Sequence, residues 1–296
     1  MTPNEYLNEI LEDQTLSQDD EELDDLRSER SEVENLLRGE YGSTPSIRYG
    51  GSYAKKTMIR TSFDLDILCY FPREDDSAGD TLKEIYDDVA DALRDDYLVE
   101  PKRSALRLLD PDSEHYAHVD VVPGRFVEGS DGDVNLHQEV GQKESLKTNP
   151  EKHLEHIRES GVRDAIKLAK FWREKKSLEV KTFILELLVV EVLEGEQDSS
   201  LEDQMVQFFE TLRDDIENIS VEDPANREGN DLSDMFGPTV RTTLSGAASR
   251  SLSHVENDNW EAVFGPIEEE EVNERAEKLK STSAAATGSS KPWYHD

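Results

Sequence analysis

The chain of 296 residues has a single cysteine, Cys69. One thiol forms no intramolecular disulfide, and there is no Cys/His spacing of the kind that builds a zinc site. No apolar run approaches the ~20 residues that a membrane span requires. Met1 to Gln18 is polar and acidic, unlike a secretory signal or a transit peptide. These absences predict a cytoplasmic protein whose lone thiol is a buried core residue. Basic residues are scarce: 33 Lys and Arg stand against 68 Asp and Glu, a net charge of −35. Such a surface lacks the cations that neutralise phosphates along a duplex, which argues against general DNA binding. It also repels itself strongly in dilute buffer. At molar salt the Debye length falls to ~3 Å, so the composition points to a halophile's protein that loses folded structure when salt is removed.

The acidic bias is interrupted once in a telling place. From Tyr41 to Phe63 there is no Asp or Glu, while Arg48, Lys55, Lys56 and Arg60 are basic. Within this stretch Gly50-Gly51-Ser52 follows a strand candidate, Ser46–Tyr49, and precedes a short helical turn. Glycines let backbone N–H groups approach an anion, and a serine hydroxyl adds a donor. Phe63 to Phe71 then reads as a strand, apolar and stopped by Pro72. Side chains alternate across a strand, so Asp64 and Asp66 share one face while Leu65 and Ile67 take the other. Two carboxylates on one face repel each other unless a cation stands between them. Mg²⁺ prefers one or two carboxylates plus phosphate oxygens. A Gly-rich turn beside an exposed Asp-x-Asp is the bland alternative for either half alone.

Around this centre, two N-terminal helices are expected over Thr2–Leu11 and Asp19–Arg38. Thr81–Leu93 is amphipathic, with Leu82, Ile85, Val89 and Leu93 on one stripe. Arg103–Leu109 and Glu114–Val122 flank the turn Asp110-Pro111-Asp112-Ser113 and read as a hairpin. Asp120 lies in the second of these strands, either shown to water at an edge or set beside the Asp64–Phe71 strand as a third carboxylate. Val127–Val140 carries turn signals and room for two short strands. Asn149-Pro150 opens a helix, with Asn as cap and Pro at the first position. The pattern beyond is helical. Gly161–Lys176 is amphipathic, and Arg163–Lys181 holds seven basic residues against three acidic ones. That basic face either neutralises acidic neighbours or forms a cationic wall for a triphosphate. Lys181–Leu193 is apolar nearly all round, hence a buried helix, and its Glu186 needs a partner. Leu201–Ile219 and Gly246–Val263 complete the helices, with Trp260 and Phe264 as core anchors. Glu268–Lys280 is charged and helical in pattern, and Ser281–Asp296 reads as a disordered tail. The expected division is therefore N-terminal helices (1–40), a strand-rich region that carries the Asp-x-Asp strand (41–147), a helical lobe (148–280) and the tail (281–296).

Gly51-Ser52, eleven residues, then Asp64-Leu65-Asp66-Ile67 resembles the signature of the polymerase-β-like nucleotidyltransferases. His118-Val119-Asp120-Val121-Val122-Pro123 is similar to their third acidic motif. Lys147-Thr148-Asn149-Pro150, Lys170-Phe171-Trp172, Thr182-Phe183-Ile184-Leu185-Glu186 and Asp223-Pro224 follow in order. Together they resemble the CD-NTases, relatives of cyclic GMP-AMP synthase and oligoadenylate synthase, over residues 20 to 265. The resemblance implies an α+β, two-lobed fold, with a mixed-sheet palm, flanking helices and a C-terminal helical lobe. It makes the strand-rich region (41–147) the catalytic palm and packs the N-terminal helices (1–40) across the lobes. It implies two Mg²⁺ or Mn²⁺ ions held by Asp64, Asp66 and Asp120. It further implies that Gly51, Ser52, Lys170 and Thr182 hold the triphosphate and that Phe183 stacks on a base. Lys56 stands where the family often has Gly, and Thr182 where it often has Ser. The implied activity joins NTPs into a cyclic oligonucleotide for anti-phage defence, read by a separate effector protein; a monomer is expected. Two alternatives stay open at this stage: an RNA 3′-end nucleotidyltransferase of the CCA-adding or poly(A)-polymerase kind, and a non-catalytic nucleotide-binding or antitoxin-like module.

Overall fold

The computed structural model describes residues 1–17, 20–109, 118–140, 143–226, 230 and 232–267. The Asp110–Ser113 turn, the Glu268–Lys280 segment and the Ser281–Asp296 tail lie outside the described residues. Among the described residues seven strands form one mixed sheet. They are β1 (Ser46–Tyr49), β2 (Asp64–Phe71), β3 (Leu98–Pro101), β4 (Leu106–Leu109), β5 (His118–Phe126), β6 (Val134–His137) and β7 (Ser145–Thr148). Their order is β1-β2-β5-β4-β3, with β6 joining the far end of β5 and β7 pairing with β6. β2 and β5 run parallel; their neighbours are antiparallel.

The alternation of β2 sorts its residues as the pattern predicts. Leu65, Ile67, Cys69 and Phe71 are fully buried in a core shared with α2 (Glu21–Tyr41) and α4 (Leu82–Leu93). Cys69 is a free thiol in that core. Leu68 and Tyr70 pack on the other face with Val134 and Leu136. α4 starts sharply because Thr81 and Glu84 form a reciprocal capping box.

The second core is helical. It is built from α5 (Pro150–Arg158), α6 (Arg163–Lys175), α7 (Thr182–Val192), α8 (Leu201–Asp214), α9 (Pro238–Val255) and α10 (Glu261–Phe264). α7 is buried as its composition requires, and Trp172 is fully enclosed with its indole N–H donating to Ser251 Oγ at 2.9 Å. Trp260 and Phe264 are core residues. α9 begins eight residues before the expected Gly246, because Pro238 sits in its first turn, where a missing N–H costs nothing.

The N-terminal helices divide between the two cores. α1 (Pro3–Gln14) places Tyr6, Leu7, Ile10 and Leu11 among the helices, whereas α2 places Leu23, Leu26, Val33 and Leu37 under the sheet. Arg60 secures the crossing: its N–H donates to the Gln14 carbonyl at 2.8 Å, and its guanidinium meets the Asp13 carbonyl, Asp20 and Glu22. Among the described residues no helix is long and apolar enough to cross a membrane.

Candidate active site

The parallel pairing of β2 and β5 sets Asp66 opposite Asp120 and Asp64 opposite His118. With Asp64 and Asp66 on one face of β2, all three carboxylates sit at the same end of two adjacent strands. The chain reaches them through α3 (Gly51–Lys55), a one-turn helix entered by Gly50 and Gly51. Gly50 N–H donates to the Asp66 carbonyl at 2.8 Å, which ties the loop to the strand. Gly51 has φ +53 and lies flat against the Asp66 side chain; a Cβ there would overlap Oδ2 and stand 2.5 Å from Cγ. Only glycine meets both demands.

Electrostatics at the cluster are unbalanced. Burial pushes the Asp66 carboxyl up to about 7, and the negative charges of Asp120 and Asp64 add to the shift. Arg107 on β4 relieves the other two. The register sets it opposite Asp120. Its Nε and Nη2 donate to the two oxygens of Asp120 at 2.8 and 2.9 Å, and Nη2 also donates to Asp64 Oδ2 at 3.2 Å. Among the described residues no three acidic, His or Cys side chains converge as they would on a metal ion. The donor chemistry nevertheless fits a hard divalent cation: three carboxylates on one face, one of them strained by its like-charged neighbours, and an arginine nitrogen spanning two of them.

Gly50, Gly51, Ala54 and Lys55 form one wall of a cleft of about 850 Å³ between the sheet and the helices. Leu68, Tyr70, Leu136 and Leu146 make its apolar floor, and Phe183, His153, Asp223 and Asp234 come from the helical side. His153 stacks on Phe183 at 5.0 Å between ring centroids and is held by Asp223 Oδ1 at 2.7 Å. Burial alone would raise the Asp223 carboxyl, but hydrogen bonds from His153, Asn230 and the Ala225 N–H hold it down at about 2. A second cavity, about 570 Å³, shares no lining residue with the first. Its walls carry Glu159, Glu191, Glu194 and Glu222, which disfavours phosphate.

Of the residues implied to hold a nucleotide, Gly51 and Phe183 line the cleft. Ser52 is in the first turn of α3. Lys170 is 2 % exposed and donates to the Thr57 carbonyl at 2.7 Å, behind the loop. The Thr182 hydroxyl accepts from Arg173. Arg107, Lys55, His153 and Asp223 were not singled out as site residues by the sequence. Only Asp223, beside Pro224 in the motif order, and Lys55, in the acid-free stretch, carried any signal.

The model of the Second Messenger Oligonucleotide or Dinucleotide Synthetase domain (SMODS) matches residues 1–160. No curated protein matches the chain. Solved structures do match. Escherichia coli MS115-1 CdnC with ATP superposes with a TM-score of 0.70 at 20% identity, covering 89% of this chain and 98% of that one. The Bradyrhizobium diazoefficiens CD-NTase CdnG in complex with GTP gives 0.70 at 14% identity, over 88% and 95%. Vibrio cholerae DncV, a cyclic AMP-GMP synthase in complex with the linear intermediate 5′-pppA(3′,5′)pG, gives 0.59 at 20% identity, over 88% and 79%. At these identities the likeness to the solved structures is one of fold, and it is the domain match over more than half of the chain that identifies the family. The chain belongs to the SMODS family, the CD-NTases of the polymerase-β-like nucleotidyltransferase superfamily.

Proposed function

We propose that this nucleotidyltransferase joins NTPs with release of pyrophosphate in the cleft described above and closes the product into a cyclic di- or oligonucleotide signal for anti-phage defence. The observation that carries the reading is the register of Asp66 opposite Asp120, with Asp64 on the same face and Gly51 pressed against Asp66. In this reading Asp64, Asp66 and Asp120 hold two Mg²⁺ or Mn²⁺ ions. Such ions, when bound, neutralise charge at the α-phosphate and make an attacking hydroxyl more acidic.

The chain's own residues supply positioning. The Gly51 and Ser52 backbone and the Ser52 hydroxyl face the phosphates, and Thr182 supports them from the start of α7. Phe183 offers its ring to a base, backed by the His153–Asp223 pair. Asp120 accepts the proton of the attacking ribose hydroxyl after Arg107 withdraws from its two oxygens. The ribose oxygen then bonds to the α-phosphorus, and the bond from that phosphorus to the bridging oxygen of pyrophosphate breaks. The linear intermediate held by the Vibrio relative supports successive steps in one cleft. A separate effector protein then reads the product.

The test is incubation of the purified chain in molar KCl with Mg²⁺ or Mn²⁺ and all four α-³²P-labelled NTPs. Products are treated with phosphatase and resolved by chromatography and mass spectrometry. A phosphatase-resistant product with the mass of a cyclic oligonucleotide is expected, lost in Asp66→Asn without a large change in melting temperature. Label appearing only in added tRNA would replace this reading with RNA 3′-end extension. A full-activity Asp66→Asn would overturn the site.

A further inference from the structure

Glu186 lies in the middle of the apolar helix α7 and is 1 % exposed. A carboxylate there is costly unless it is paired and hydrogen-bonded. Its two oxygens accept from Lys55 Nζ at 2.7 Å and from Thr57 Oγ1 at 2.8 Å. Both donors belong to the segment that follows Gly50-Gly51. From α6, Lys170 reaches the same segment and donates to the Thr57 carbonyl. Two neighbouring helices thus each send one charged side chain to a single three-residue stretch. Burial would raise the Glu186 carboxyl, but Lys55 and Lys170 together hold it below the usual range.

The two lysines differ in what they face. Lys170 is enclosed, whereas the Lys55 side chain is 13% exposed and lines the cleft beside Gly51. Its ammonium lies 5.7 Å from the centroid of the Phe183 ring. Gly51, pressed against Asp66, links this wall to the carboxylates, so a nucleotide that reaches from Phe183 to the carboxylates passes Lys55. An ammonium has three N–H donors. One goes to Glu186, which leaves two for oxygens in the cleft. Glu186 orients Lys55 without cancelling the charge of the pair of lysines, because two ammonium groups face one carboxylate.

The structure assigns Lys55, held in place by Glu186, as the cation that receives the β- and γ-phosphates of the incoming NTP, with Lys170 bracing the loop from behind. Lys55 is a binding residue in this scheme, and Glu186 and Lys170 are positioning residues. The assignment rests on the reading of this cleft as the NTP site.

The test separates binding from folding. Lys55→Met alone strands a buried carboxylate and destabilises the chain. The double variant Lys55→Met/Glu186→Gln removes both charges and regains most of the lost melting temperature. Calorimetry with Mg²⁺ and the α,β-methylene analogues of ATP and GTP then reads affinity, with AMP and GMP as controls that lack β- and γ-phosphates. The double variant should bind the NTP analogues about 10- to 100-fold more weakly, the worth of a charge-assisted hydrogen bond or two. Its affinity for the monophosphates should stay within about twofold of wild type. Lys55→Arg should recover part of the loss. If the double variant binds the analogues as wild type does, Lys55 is only the partner of Glu186 and the assignment fails while the cleft reading stands. If wild type binds no NTP analogue, the cleft reading fails and takes the assignment with it.

Discussion

Replacing Gly51 with alanine is the sharpest perturbation the active site offers. The residue has φ +53, where a Cβ costs about 1–2 kcal/mol on backbone grounds alone. The added atom would overlap Asp66 Oδ2 and lie 2.5 Å from Cγ and 3.1 Å from Cβ. The loop cannot simply retreat, because Gly50 N–H is bonded to the Asp66 carbonyl and β2 is paired on both sides. Relief must come from rotating the Asp66 carboxylate away, at about 0.5–1.5 kcal/mol for an off-rotamer side chain. The total is about 1.5–3.5 kcal/mol of stability, which a chain of this size survives. The catalytic loss should be larger. A carboxylate misplaced by about 1 Å costs about 10²-fold in rate. Gly50→Ala is the matched control, since its Cβ meets the flexible end of Leu68, Cδ2 at 2.7 Å. It should lower the melting temperature yet keep the rate within about tenfold. Melting scans and initial rates of labelled-NTP turnover for both variants decide the matter. A Gly51→Ala enzyme with wild-type rate would refute the claim that Asp66 must stand where it does.

Arg107→Gln removes the cation between Asp64 and Asp120, so the metal-free variant should melt several degrees lower and Mn²⁺ should raise its melting temperature more than it raises wild type's. Equal Mn²⁺ shifts would show that Arg107 does not compete for that space. Burial holds the Lys170 ammonium down at about 8, against an unfolded value of 10.5. Between those values the unfolded chain binds more protons than the folded one, so stability rises with pH across about 8 to 10.5. The stability of wild type relative to Lys170→Met should climb through that window; a flat difference would contradict the burial of a charged lysine. With a net charge of −35, lowering salt from molar to ~0.05 M should unfold the chain, as read by far-ultraviolet circular dichroism. An unchanged spectrum would show that packing alone outweighs the repulsion.

What a single strand can show, the sequence shows well. The alternation of Asp64, Leu65, Asp66 and Ile67 is a local property, and the structure buries Leu65 and Ile67 completely. Caps and composition likewise locate α5 and α7, since Asn149-Pro150 and an all-apolar run each act within one helix. Contacts that depend on register were harder. A tight turn at Asp110–Ser113 would set Arg107 opposite residue 116, whereas the sheet sets it opposite Asp120. Only that shift brings its guanidinium to the carboxylates. β3 and β7 are short, mostly exposed or polar strands with almost no pattern of their own, and they exist because an edge was available to pair with. The direction in which Lys170 points was also hidden. Its place on a basic, amphipathic helix fits either side of the loop, and the choice falls to the carbonyl of Thr57, 113 residues before Lys170 in the chain. His153 and Asp223, 70 residues apart, meet only because α5 and the loop after α8 border the same cleft.

The division of α1 and α2 between two cores has a mechanical meaning. The polypeptide passes from the helices to the sheet near residues 15–20 and returns to the helices near residues 148–149. The two bodies are tied at these two points and also across the cleft, where Lys55 and Thr57 meet Glu186, Lys170 meets the Thr57 carbonyl and Arg158 meets the Ala54 carbonyl. Arg60 stiffens the first tie by gripping the chain on both sides of it. The wall that carries Gly51 is therefore riveted to the helical core by side chains as well as by the chain itself, which keeps the loop wall and the aromatic wall facing each other and the carboxylates aimed at one place.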